Sequence, residues 1–197
     1  MCDVHQGYYG GAGVPDEIVF SAMQFAMEKH EKQRRKYTGN PYFDHLSEVA
    51  GIVASVAWRH PDPKIVIATA WLHDVREDQG VSEEELTSLF GHEIAAGVTL
   101  LSDLEGPEFG NRAKRKAASR LRLGSAPAWI QDIKTADLIS NTSSIVMHDP
   151  NFAAVYLGEK DLLLNAMTKA DSRLVSIASR IIETNFHDSM PAVRHGI

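Results

Sequence analysis

The sequence predicts an all-α domain, a compact bundle of about eight or nine helices. Three observations predict it. Apolar residues recur at helical spacing from residue 15 almost to the end, helix-opening and helix-closing residues flank each run, and no stretch alternates polar with apolar residues as a strand would. The first 14 residues, MCDVHQGYYGGAGV, are glycine-rich and aperiodic and predict a flexible terminus. GYYGGAG is no phosphate loop, because no strand precedes it and the Gly-Lys-Ser/Thr ending is missing.

Pro15 and Asp16 open the first helix, which carries Ile18, Val19, Ala22, Met23, Ala26 and Met27 on one side and runs to the punctuation of TGNP at 38 to 41. The second runs from Tyr42 to Trp58, with Leu46, Val49, Ala50, Val53 and Val56 in phase. HPDP breaks the chain, and Asp62-Pro63 caps a third helix containing WLHDVRED, residues 71 to 78. Ser82 and Glu85 have the spacing of a capping box for a short helix over 82 to 90, closed by Gly91. Another helix covers 91 to 103. LEGPEFGN is a loop, a basic helix follows to Gly124, and Pro127 opens a long helix to Met147. Asp149-Pro150 stops it, and helices over 151 to 166 and 168 to 186 complete a domain spanning 15 to 187. Residues 188 to 197 read as a tail.

A chain of 197 residues suits one domain with a substantial core. Its 44% hydrophobic and 23% charged residues are ordinary for a globular protein. A net charge of −6 argues against general affinity for nucleic acid or anionic membrane. The lone cysteine, Cys2, excludes an internal disulfide and a cysteine-built metal site. No apolar run is long enough for a membrane span, and no leader pattern is visible, so the expected setting is cytoplasmic.

WLHDVRED brings His73, Asp74, Glu77 and Asp78 to the end of an apolar helix, and burying such groups without partners costs several kcal/mol each. His45 falls on the buried face of the second helix, in phase with Tyr42 and Val49. Asp137 shares a mostly apolar face with Ile130, Ile133 and Asn141. Two imidazoles and two carboxylates leaning inward suit a divalent ion such as Mn²⁺, Fe²⁺ or Zn²⁺, with Mg²⁺ as a further option. Four protein ligands leave positions for a water and a substrate oxygen on a six-coordinate ion.

The order His…His-Asp…Asp over successive helices resembles the HD-domain superfamily of metal-dependent phosphohydrolases. Within it, AMEKHEKQRRKYTGNPYFDH (26 to 45), ATAWLHDVRED (68 to 78), FGHEIAAGVTLLSD (90 to 103) and KTADLISNTSSI (134 to 145) are similar to the hydrolase domain of the RelA/SpoT homologues and, by size, to the small alarmone hydrolases. The resemblance covers about residues 17 to 185. It implies an HD-type bundle in which His45, His73, Asp74 and Asp137 hold Mn²⁺ and Glu77 and Asp78 are the catalytic acidic pair.

The same resemblance implies that Arg35 and Lys36 meet the nucleotide base and phosphate, with Arg34 an alternative because the spacing to Pro41 varies. Asn141 and Ser144 then face the nucleotide. NRAKRKAASRLRLG contains no acid, and Lys114, Arg115 or Lys116 is expected to reach phosphate; Tyr156 and Lys160 are candidates for lining the base pocket. Arg76 is expected at the surface. The implied reaction is metal-dependent removal of the 3′-pyrophosphate from the alarmones (p)ppGpp or (p)ppApp. The partner is therefore a small nucleotide, and the oligomeric state stays open. Two rivals share the metal set: an HD-type 5′-nucleotidase and a catalytically silent nucleotide sensor.

Overall fold

Each predicted apolar run becomes a helix, and the departures lie where the chain bends around its polar residues. The structure, a computed structural model, describes residues 15, 17–103 and 106–189. The expected terminus over 1–14, the helix-opening Asp16 and the tail beyond residue 189 lie outside the described residues. Among those described, the chain forms ten α-helices: α1 (Ile18–Lys29), α2 (Phe43–Ala54), α3 (Pro63–Leu72), α4 (Val75–Gln79), α5 (Glu83–Phe90), α6 (His92–Leu101), α7 (Arg112–Ser125), α8 (Ala128–His148), α9 (Pro150–Ala166) and α10 (Ser172–Ser189). Two short 3₁₀ turns, Ala57–Arg59 and Pro107–Phe109, lie between them.

Several boundaries differ from expectation. The first helix stops at Lys29 instead of continuing to TGNP. Residues 30 to 42 fold back on themselves: Arg35 N–H donates to Asn40 O, Tyr42 N–H to Gln33 O, and Arg34 forms an isolated antiparallel bridge with Pro41. KHEKQRRKY has good helix formers, but tertiary pairing overrides local preference here. The second helix ends at Ala54 and passes into the 3₁₀ turn, leaving Trp58 exposed.

The third predicted helix is two. His73 and Asp74 occupy the seam between α3 and α4, and Gly80 closes α4 with φ +67°, a conformation that favours glycine. Ser82 caps α5 by accepting from Glu85 N–H at 3.1 Å, but the Glu85 carboxylate pairs with Lys29 at 3.0 Å instead of completing the box. Asp62 and Asn111 cap α3 and α7 through Lys64 N–H and Lys114 N–H, both at 3.0 Å.

Two apolar clusters carry the packing. One gathers Ile18, Leu46, Leu72, Leu86 and Ile94 from α1 to α6; the other gathers Val53, Leu123, Ile130, Ile133 and Leu157, mostly from α7 to α10. Trp71 and Trp129 pack against both. Helix α2 lies against α3 on one side and α8 on the other, which draws polar residues of all three toward one point.

Candidate metal centre and its cleft

His45 lies in the first turn of α2, His73 and Asp74 at the α3–α4 seam, and Asp137 in the middle of α8. His45 is 0%, His73 2% and Asp137 5% exposed, so any charge among them has lost most of its water. His45 Nε2 stands 3.4 Å from Asp74 Oδ2 and 3.4 Å from Asp137 Oδ1. His73 Nε2 stands 3.0 and 3.9 Å from the same two oxygens. His45, His73 and Asp74 can each direct one ligand atom to a common point, with those atoms within 4.8 Å of one another.

The tautomers follow from the neighbours. His73 Nδ1 faces Ala70 O at 2.8 Å and must donate to that carbonyl. Ser140 Oγ gives its only hydrogen to Glu48 Oε2 at 2.6 Å, so His45 Nδ1, 2.8 Å away, donates to Ser140. Both imidazoles therefore turn a lone pair on Nε2 inward, and both Nε2 atoms are buried without a hydrogen-bond partner. Two buried imidazole acceptors facing two carboxylates fit a divalent cation of intermediate hardness.

Electrostatics agree with that fit. Burial alone would lower the His45 imidazole, but Asp137 and Asp74 outweigh it and push it up to about 9. His73 is raised too, burial again opposing and Asp74 prevailing. Burial would raise both carboxyls, yet His73 holds Asp74, and Lys134 with His45 holds Asp137, below the usual range. Without a metal, protons on the imidazoles do the compensating.

Glu77 and Asp78 sit on α4, one turn beyond the seam. Glu77 Oε2 accepts from the Asp103 backbone N–H at 2.8 Å; partial desolvation of its carboxyl against that loop raises its pKa, although the residue keeps an open side to water. Asp78 Oδ2 accepts from Gln33 Nε2 at 2.8 Å, and Gln33 Oε1 in turn meets His30 Nδ1 at 2.6 Å and the Gln79 amide. His30 stacks on Tyr42, whose hydroxyl donates to Asp74 Oδ2 at 2.6 Å. Arg76, expected at the surface, is half-buried and faces Glu83 of α5 at 3.8 Å.

Arg35 reaches the centre through Asn141. Its Nη2 donates to Asn141 Oδ1 at 3.2 Å, and Asn141 Nδ2 donates to Asp137 Oδ1 at 2.6 Å. Lys36 stays exposed against Tyr37, and Arg34 turns back onto the carbonyls of Glu31 and Gln33. Ser144, one turn past Ser140, is half-buried, and its carbonyl accepts from His148.

The basic run is less free than its sequence suggests, since acids reach it from elsewhere. Asp103 binds Lys116 at 2.7 Å, Ser119 at 2.8 Å and Arg122 at 2.8 Å, and Glu159 holds Arg112 through two contacts of 2.7 Å. An open cleft is lined by Glu77, Asp103, Arg112, Arg115 and Lys116. Lys114 is exposed and is not among its lining residues. A smaller pocket is lined in part by Lys134, Lys116 and Lys160. Lys160 lies 5.1 Å from the centroid of the Tyr156 ring, and burial beside Lys134 lowers its ammonium to about 8.

Sequence reasoning missed Tyr42, Lys134 and Ser140, although each lies three residues from His45 or Asp137 on the same helical face or approach. Lys134 Nζ is 2.9 Å from Asp137 Oδ2. Gln33 and Asp103 come from irregular segments, where no periodic signal marks them.

Comparison with known proteins places this geometry. A family model described as HD domain matches residues 22–136, more than half of the chain, including His45, His73 and Asp74. A probable guanosine-3′,5′-bis(diphosphate) 3′-pyrophosphohydrolase from Synechocystis is 31% identical over 134 residues, 66% of this chain and 17% of that protein. A GTP pyrophosphokinase from Myxococcus xanthus is 36% identical over 124 residues, 61% of this chain and 16% of that protein. The chain thus spans less than a fifth of the length of these curated relatives. Among solved structures, a metazoan ortholog of SpoT described as hydrolysing ppGpp matches with TM-score 0.75 and 24% identity, over 88% of this chain and 98% of that one. A Listeria monocytogenes protein matches with TM-score 0.60 and 20% identity, over 77% and 99%. These two likenesses establish the all-α fold.

Proposed function

The chain belongs to the HD domain family, and on that premise we propose that residues 15 to 187 form a phosphohydrolase removing the 3′-pyrophosphate from alarmone nucleotides, (p)ppGpp or (p)ppApp. The observation that carries this is the pair of buried, unpartnered Nε2 atoms of His45 and His73 facing two carboxylates beside Glu77, Asp78 and a basic cleft. The names of the Synechocystis relative and of the metazoan neighbour support the same substrate class.

His45, His73, Asp74 and Asp137 would hold a divalent ion, for which we favour Mn²⁺ and which would supply Lewis-acid polarisation and acidify water. The chain's own residues do the rest. Water adds to the phosphorus carried by the 3′ oxygen, the bond between that phosphorus and the 3′ oxygen breaks, pyrophosphate departs with the water's oxygen, and the 3′ oxygen takes up a proton to become the hydroxyl. Glu77 and Asp78 accept the water's proton and return one to the leaving oxygen. The Asp103 amide and the Gln33 carboxamide fix the direction of these two carboxylates. Arg35, held by Asn141, and Arg115 and Lys116, on the cleft, are assigned to phosphate oxygens. Tyr156 and Lys160 are assigned to the nucleotide end.

The test is incubation with (p)ppGpp and (p)ppApp in the presence of Mn²⁺. Pyrophosphate release that is lost in Asp74→Ala is expected. Release of inorganic phosphate from nucleoside 5′-monophosphates instead would assign the chain to the nucleotidases, and tight binding without turnover would make it a sensor.

A further inference from the structure

We propose that Glu48, acting through Ser140, is a positioning residue for the metal ligand His45, an inference that rests on the metal-centre reading above. Glu48 Oε2, Ser140 Oγ and His45 Nδ1 form an unbroken line of contacts at 2.6 and 2.8 Å. His45 and Glu48 lie three residues apart on α2; Ser140 lies three residues after Asp137 on α8. The line therefore joins the helices that carry two of the four ligands.

A serine in a helix ordinarily returns its hydrogen to the carbonyl four residues earlier. Ser140 does otherwise, because the Glu48 carboxylate is a stronger acceptor and draws the hydrogen across to α2. With its hydrogen spent, the hydroxyl can only accept from His45, and this locks the imidazole with Nδ1 protonated and Nε2 free. His73 gets the same orientation from the Ala70 backbone carbonyl, which no substitution can remove. His45 is thus the ligand whose orientation depends on side chains. Removing the Ser140 hydroxyl leaves a buried N–H unpaired in a residue that is 0% exposed. The ring then gains by turning or by exchanging tautomers, and either change takes the lone pair off the centre.

The experiment titrates Mn²⁺ into the purified full chain in a chelator buffer at fixed pH, with melting of the metal-free protein recorded in parallel. Outer partners of metal-bound histidines are worth about 10–100-fold in affinity. Ser140→Ala is expected to weaken Mn²⁺ binding on that scale of roughly 10–100-fold, and Glu48→Ala by about tenfold, since water can partly replace an exposed carboxylate. Ser140→Thr, which keeps the hydroxyl, is expected to stay within about threefold of the parent, and Glu48→Gln to fall between.

Mn²⁺ affinities of Ser140→Ala and Glu48→Ala equal to the parent's overturn the proposal, as does a lowered metal-free melting temperature with unchanged affinity. Should Ser140→Ala fail to fold, Glu48→Gln and Glu48→Ala at the exposed end decide. A parent chain that takes up no Mn²⁺ overturns the metal-centre reading and the relay together. Weakened Mn²⁺ binding in the variants of a chain that does not turn over alarmone supports the relay and overturns only the substrate assignment.

Discussion

Helix α8 buries two aspartates five residues apart, Asp132 and Asp137, and the chain treats them in opposite ways. Around Asp132 every demand is met from within. Arg59 Nη1 reaches both its oxygens, at 2.9 and 2.8 Å, and the Asp171 backbone N–H donates to it at 2.6 Å. Burial raises the Asp132 carboxyl and these partners pull against it, while neighbouring Asp171, bound by Arg173, is held down to about 2. Around Asp137 the partners are Lys134, Asn141 and two imidazoles, each imidazole with one nitrogen unpartnered. Burial of charge does not separate structure from function here. Completeness of the hydrogen bonding does: the closed set ties the 3₁₀ turn to α8 and the start of α10, and the open set is shaped for something the chain does not contain.

Breaking each set should give different results. Asp74→Ala is expected to lower kcat/KM by about 1,000-fold or more, since the proposed function assigns Asp74 to a metal set whose members act as a unit. The metal-free melting temperature should fall as well, because Tyr42 loses its acceptor and His73 its counter-charge. Asp132→Ala should touch stability alone. It removes a buried partner from Arg59 and costs about 3 kcal/mol, lowering the melting temperature by roughly 6–12 °C, with turnover per folded molecule unchanged. Calorimetry and steady-state kinetics on both variants check the difference, and a catalytic loss in Asp132→Ala with normal melting would undo the contrast.

A smaller effect is expected at the border of the open set. Gln33→Ala takes the donor from Asp78 and should lower kcat roughly tenfold with KM nearly unchanged, read from full saturation curves. An equal rise in KM would move Gln33 to substrate binding.

The smallest effect concerns acid. Asp171 titrates lower in the folded than in the unfolded chain, so its contribution is present above the unfolded value of about 3.9 and is lost as pH falls through about 2. Arg173→Ala removes the main cause, and its urea midpoint should therefore fall less steeply than the parent's between about pH 4 and 2. Identical slopes would show that Arg59 suffices alone.

The convergence of His45, His73, Asp74 and Asp137 was the most legible part of the sequence, because His45, His73 and Asp137 each interrupt an apolar helical face. Helix identities were legible for the same reason. What escaped has a common physical cause: it depends on contacts between segments distant in sequence. The strong helix formers of KHEKQRRKY gave no sign that Arg34 would pair with Pro41 and deliver Arg35 to Asn141. The acid-free run in α7 gave no sign that Asp103 and Glu159 would occupy several of its cations. The seam at His73–Asp74 was hidden inside one continuous apolar pattern.

The two tryptophan-bridged clusters have a consequence for how the molecule comes into being. His45, His73, Asp74, Glu77 and Asp78 all belong to the part of the chain that a ribosome releases first, and Asp137, Lys134 and Asn141 to the part that follows. Synthesis runs from the N-terminus, so the early helices emerge before Asp137 does. A chain cut before α8 then lacks Asp137, and the cluster is complete only when α8 docks on α2. Closure of this site therefore reports that α8 has docked on α2.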